Sequence, residues 1–296
     1  MSLNGIILVD KPEGPSSFEA VRKVRRIAKT SRVGHAGTLD PLAEGLLVVC
    51  IGEGCKLVPF LQDGTKRYTA RIALGIETLT LDNEGDVIRR EEVAPFSRLD
   101  VERVLQQFEG PVMQVPPVYS AVKKDGIKLY RKARRGEEFM PEPREVHIDA
   151  IALDDVSPHS ISLTVDCKKG TYIRSLARDI AHALGTIGIL DYLRRVSTSG
   201  FHVDRALRLD DIAHGASILD HLISMPDALP HMPKAVITDE AAALIRNGGA
   251  IPMPEHLPAS IQHDDPHVAL LSVEGALIAI AKRTEERLQP IRVMLA

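Results

Sequence analysis

Two well-separated stretches of the chain, residues 67–74 and 160–167, alternate apolar and polar side chains at almost every position. Tyr68, Ala70, Ile72 and Leu74 lie on one side of the first, with Arg67, Thr69 and Arg71 on the other, and Ile161, Leu163, Val165 and Cys167 share one side of the second. A period of two marks a strand with one buried and one wet face. It also favours antiparallel pairing, because parallel strands covered on both faces read as unbroken apolar runs.

Helical signals are interleaved with these strands. Ser16-Ser17-Phe18-Glu19 matches a capping box, and Val21, Val24 and Ala28 follow at helical spacing, so an amphipathic helix is expected from about residue 17. Residues 100–108, with Val101, Val104, Leu105 and Phe108, read as a helix stopped by Gly110. A third helix follows Lys168-Lys169-Gly170-Thr171-Tyr172, its apolar face built from Ile173, Leu176, Ala177, Ile180, Ala181 and Leu184 and its end marked by Gly185. This places Tyr172 and Arg174 at the start of that helix, with Arg174 and Arg178 opposite the apolar face. Three prolines within residues 224–235 indicate a linker. Beyond it a short helix at 240–247 and strands near 267–273 and 276–282 form a small tail. The expected class is α+β, a mixed and mainly antiparallel sheet followed by a small β-rich domain, divided at 1–230 and 231–296.

Composition narrows the environment. Cys50, Cys55 and Cys167 form no CxxC pair and no zinc-ligand spacing, and no basic leader precedes a long apolar segment. No apolar run approaches the length of a membrane span, so a cytoplasmic protein with no membrane association and no metal is expected. Charge first argues against a nucleic-acid partner: 37 Lys and Arg against 40 Asp and Glu leave a net charge of -3, with 4% aromatics and no Trp. The distribution reverses that inference. Arg22, Lys23, Arg25, Arg26, Lys29 and Arg32 follow one another without an acid, and Lys123, Lys124, Lys128, Arg131, Lys132, Arg134 and Arg135 cluster around Tyr130 in a basic insertion at about 119–140. Either patch alone reads as a solvated face; two of them, with interleaved tyrosines, read as a phosphate-binding surface.

The least ordinary stretch is Gly34-His35-Ala36-Gly37-Thr38-Leu39-Asp40-Pro41-Leu42-Ala43-Glu44-Gly45-Leu46-Leu47. Pro41 biases Asp40 away from helical geometry, and the flanking glycines make a loop. As a bare pattern it is a turn, or, with Glu44 as a second carboxylate, the acid pair of a hydrolase acting on a glycosidic bond.

This loop resembles the GHxGxLDPxAxGxL motif of the tRNA pseudouridine synthase B family, TruB and its relatives. Further motifs follow in the family's order. Gly5-Ile6-Ile7-Leu8-Val9-Asp10-Lys11-Pro12 resembles the opening lysine-proline motif, Lys66-Arg67-Tyr68 the KxY motif, Pro117-Val118-Tyr119-Ser120-Ala121-Val122-Lys123 the PxxSAxK stretch, Lys169-Gly170-Thr171-Tyr172-Ile173-Arg174 the KGTYIR motif, and Tyr192-Leu193-Arg194-Arg195 the element after it. Together they are specific, where one alone would be weak. One departure stands out: Leu79, between Thr78 and Thr80, occupies a position where many relatives carry Asp.

The resemblance implies a catalytic domain of the pseudouridine synthase type with a PUA-like tail, isomerising the uridine at position 55 in the T loop of tRNA. That reaction breaks the N1 to C1' bond and rejoins the base through C5, so it implies no cofactor, and the partner is the T arm of tRNA, bound by a monomer without an obligate protein partner. Asp40 is implied as the catalytic carboxylate, by attack at C1', attack at C6 or an elimination at the sugar. Arg174 is its implied counter-ion; from the residues alone it reads equally as half of a surface ion pair. Tyr68 stacks on the extruded base or also takes its proton, while Tyr172 and Leu193 wall the base pocket, Leu193 equally readable as packing. Lys11 supports the loop or contacts phosphate, and His35 contacts RNA or serves the turn. A non-catalytic RNA-binding or RNA-remodelling protein on the same scaffold is the rival reading; it would lack Asp40 or Arg174, and both are present.

Overall fold

The computed structural model describes residues 3–119, 141–213, 218–253, 267–284 and 286–295, plus the paired backbones of Lys123–Lys124 and Ile127–Lys128. The remainder of the basic insertion expected at 119–140, including Tyr130, lies outside the described residues.

Ten strands form the main sheet. Its path runs Leu207–Arg208, Gly5–Lys11, Glu44–Ile51, Gly188–Thr198, Lys66–Leu74, Ser160–Cys167, Arg144–Ser157 and Gly110–Gln114, with Val33–His35 and Phe201–His202 attached at its side. The two alternating segments pair with each other antiparallel, Tyr68 opposite Val165 and Ile72 opposite Ile161. Among the described residues of this sheet two strand pairings are parallel, one of them joining Arg194 and Arg195 to Glu44 and Gly45. The sheet is therefore mixed and mainly antiparallel, as its periodicity predicts.

Local signals place the helices. Ser16 caps Ser17–Ile27, with its side chain and that of Glu19 closing both halves of the capping box. A second capping box, Ser97 with Asp100, starts Arg98–Leu105 two residues before the expected position. Those two helices and Ile173–Ala183 cover one face of the sheet, their Val21, Val24, Val101, Val104, Leu176 and Ile180 joining Ile7, Val9, Leu47, Ile72 and Ile148 of the strands in one buried core.

The other face explains why the strands Gly5–Lys11 and Glu44–Ile51 are apolar almost throughout. Ile6, Leu8, Leu46 and Val48 point away from the helices and pack with Ala269, Leu277, Ile280 and Met294 of the tail. That tail is a five-stranded sheet in the order Lys234–Val236, His267–Leu271, Leu277–Arg283, Arg287–Val293 and Ile251–Pro252, with the helix Asp239–Arg246 capped by Thr238. Glu53 accepts the Leu295 N–H at 2.8 Å and pairs with Lys56 at 2.7 Å, fastening the last strand to the main sheet. The expected linker is not free chain: Ala228 and Leu229 are buried in this shared core. At about 1.5–3 kcal/mol for each large aliphatic side chain removed from water, the contact anchors the tail firmly. Among the described residues no helix is long and apolar enough to cross a membrane.

Candidate active site

The Asp40 loop spans the gap between Val33–His35 and Glu44–Ile51, which pair antiparallel, and it is pinned from below. Ser17, the first residue of its helix, donates its hydroxyl to Leu39 O at 2.8 Å and accepts Leu39 N–H at 2.7 Å. Pro41 O accepts from Gly14 N–H at 2.9 Å and from the Lys11 ammonium at 3.2 Å. Lys11 also donates to Pro12 O and Pro15 O, both at 2.8 Å. Fully buried, its side chain is turned onto the backbone of this loop and is not among the residues that line the pocket.

Burial lowers the Lys11 ammonium from 10.5 to about 8, partly opposed by Glu84, Asp40 and other nearby carboxylates. A depressed pKa means that the stability contributed by this group is complete above 10.5 and lost as pH falls through 8. Raising the pH from about 7.5 to about 9.5 should therefore favour the native chain over Lys11→Met by roughly 2 kcal/mol in urea unfolding. An identical stability gap at both pH values would contradict this.

Above the loop lies a pocket of about 610 Å³ lined by Asp40, Tyr68, Tyr172, Arg174, Leu193 and Arg195 among others. Five expected site residues thus meet in one cavity. His35 sits beside it without lining it; burial, then the Arg195 charge, lowers its pKa, which favours the neutral ring.

Arg174 departs from its expected setting. The apolar pattern placed it opposite the packed face of its helix, yet its side chain is only 6% exposed because two loops cover that face. Its Nη2 pairs with Asp40 at 2.9 Å and donates to Tyr119 O at 3.1 Å, while Nη1 donates to Thr80 O at 2.9 Å and pairs with Asp82 at 3.2 Å. Asp82 is itself buried, and desolvation raises its pKa against the opposing effects of Thr80 and Arg174. Thr80 and the Glu84 N–H complete its hydrogen bonding. Leu79, the departure from the family pattern, faces solvent at 51% exposure, and the carboxylate of this loop comes from Asp82. In sequence, Asp82 is indistinguishable from an ordinary turn residue.

The remaining walls are fixed as firmly. Tyr172 caps the helix Ile173–Ala183 and exchanges two hydrogen bonds with Gln114, N–H to Oε1 at 2.8 Å and Nε2 to O at 3.1 Å. Arg144 lies 4.8 Å from the centre of its ring, a cation–π contact. Tyr68 is 7% exposed; burial raises its pKa, opposed chiefly by Arg195. Lys66 donates to Gln62 O at 2.8 Å and Gly64 O at 2.9 Å, and burial lowers its pKa to about 8.

Glu44 is held away from the pocket. Arg194 pairs with it at 3.2 Å and with Asp10 at 2.7 Å. The two-carboxylate arrangement of a hydrolase is therefore not assembled from Asp40 and Glu44.

Residues 25–173 match the N-terminal domain of the TruB family of pseudouridylate synthases. The tRNA pseudouridine synthase B of Bacillus pumilus (strain SAFR-032) is 38% identical over 287 residues, spanning 94% of this chain and 92% of that protein. That of Caulobacter vibrioides (strain ATCC 19089 / CIP 103742 / CB 15) is 39% identical over 300 residues, spanning 99% and 96%. A chain in the solved structure of a Cbf5-Nop10-Gar1 complex aligns with a TM-score of 0.76 and 26% identity, covering 98% of this chain and 85% of its own. Because these likenesses extend through both sheets and the pocket between the pinned loops, the chain belongs to the TruB family of pseudouridylate synthases.

Proposed function

We propose that the protein converts the uridine at position 55, in the T loop of tRNA, to pseudouridine. The observation that carries this reading is the Asp40 carboxylate, still 35% exposed, clamped at 2.9 Å by a buried guanidinium inside a pocket walled by two tyrosines and a leucine. A buried, fixed cation orients the carboxylate, as attack or proton removal requires. The cavity is large enough for a uracil ring, and Tyr68, Tyr172 and Leu193 supply the flat and apolar surfaces on which an extruded base rests.

The isomerisation balances within the nucleotide. The N1 to C1' bond breaks, C5 bonds to C1', the C5 proton leaves and N1 gains a proton, with no net redox change. Of the groups in the pocket, Asp40 is the one placed to engage the sugar or ring; Tyr68 stacks on the base, and its oxygen takes the C5 proton only after releasing its own phenolic proton to solvent.

Exposed Arg22 and Arg26 on the helix Ser17–Ile27, with Lys29 in the turn just after it, supply the phosphate contacts, joined by the basic insertion. The tail, comprising residues 231–296 and acting as a PUA-like module, adds phosphate and shape contacts. The protein acts as a cytoplasmic monomer.

Two measurements test the assignment. Chemical mapping of an unmodified tRNA transcript incubated with the protein should reveal pseudouridine at the T-loop site, and absence of product overturns the function. Tyr68→Phe keeps the stacking ring and removes the hydroxyl; the single-turnover rate should fall by about 100-fold or more, the scale of general base catalysis. An unchanged rate would restrict Tyr68 to stacking.

A further inference from the structure

Arg195 has no part in the chemistry above, yet its side chain heads the fully buried ones by size, at 1% exposure. A guanidinium does not lose its charge in a protein, and burying one without an anion is costly. Among the described residues no carboxylate lies within ion-pair distance of it, whereas Arg174 has two and Arg194 has two.

Carbonyl oxygens surround it instead. Nε donates to Leu46 O at 2.7 Å, Nη2 to Gly37 O at 3.1 Å and Nη1 to Thr38 O at 3.4 Å. Gly37 and Thr38 precede Asp40 and Leu46 follows it, so one planar fork ties together both ends of the loop. The loop's glycines fit this contact. Gly37 has φ +127°, and Gly45, with φ +97°, would carry a Cβ only 2.3 Å from the Arg195 carbonyl oxygen. Arg195 also stands opposite Tyr68 across the paired strands, and both residues line the pocket.

We propose that Arg195 is a positioning residue of this site, tying the loop that carries Asp40 to the strand that stands beside Tyr68, so that the carboxylate is held in one fixed relation to the pocket when a base enters. This role rests on the pseudouridine synthase reading. Lysine cannot replace it, because a single ammonium lacks the planar fork that reaches three diverging carbonyls.

The test uses the full chain and an unmodified tRNA transcript. In Arg195→Lys and Arg195→Met the single-turnover rate should fall by about 100-fold or more, with tRNA affinity within about threefold of the native protein. In Arg195→Ala, millimolar guanidinium should restore part of the rate, and urea, its uncharged counterpart, should not. A rate within about fivefold of native in Arg195→Lys overturns the proposal, as does a loss of rate and affinity in equal measure, or equal effects of guanidinium and urea. Should the Met and Ala variants not fold, the Lys variant decides by itself. A native protein that forms no pseudouridine on the same transcript refutes the functional reading, whereas a native protein that does so beside a fully active Arg195→Lys refutes only this role.

Discussion

Asp40→Asn is expected to abolish pseudouridine formation while leaving the fold and tRNA binding in place. The change is isosteric, and the amide oxygen still accepts from Arg174, so the guanidinium 2.9 Å away keeps a partner here as well as at Asp82. What disappears is the negative charge and the nucleophilic or basic lone pair. Loss of such a group costs other enzymes about 10⁴-fold or more, and the same scale applies to the single-turnover rate here. A melting transition close to native and an unaltered tRNA affinity should accompany it. Equal product from the variant and the native protein would remove Asp40 from the chemistry.

Arg174→Met should behave differently, losing both activity and stability. Sequence alone left open an exposed ion pair at this position, worth about 0–1 kcal/mol, whose removal the fold would scarcely register. The geometry reverses that expectation. With Arg174 6% and Asp82 3% exposed, deleting the cation strands a buried carboxylate, a change that costs about 3–5 kcal/mol in comparable sites. Denaturant unfolding should report a loss of that order, and the rate should fall by about 100-fold or more as Asp40 loses its fixed orientation. Adding Asp82→Asn to Arg174→Met should recover much of the stability and none of the activity, because the neutral amide relieves the stranded charge without replacing the clamp on Asp40. Full stability in Arg174→Met, or recovered activity in the double variant, would contradict the network.

The two alternating strands, the capping box at Ser16 and the helix after Gly170 were legible because each is encoded within a few neighbouring residues. Period, cap and breaker are local properties, and the structure departs from them by no more than a residue or two. The short strands Lys234–Val236 and Ile251–Pro252 were not legible, since too few residues exist to express a period.

For the site, chain order and motif spacing were sufficient to name Asp40, Tyr68, Tyr172, Arg174 and Leu193, which the fold gathers around one cavity. They did not identify Asp82, Gln114 or Arg195. The partners of those residues lie far along the chain: Asp82 meets Arg174, Gln114 meets Tyr172, and Arg195 meets the carbonyls of Gly37, Thr38 and Leu46. An isolated Asp in a turn or Arg on a strand carries no mark of such a partner.

By itself, then, the sequence determined the longer strands and helices and named five residues that meet in one pocket, because those depend on local spacing and motif order. Tertiary structure decided how buried each charge is. Whether Arg174 is a surface ion pair or a clamp, whether Lys11 is exposed or buried, and whether residues 224–235 are free chain or packed depend on which distant segments cover them, and burial sets the strength of every electrostatic contact in the site.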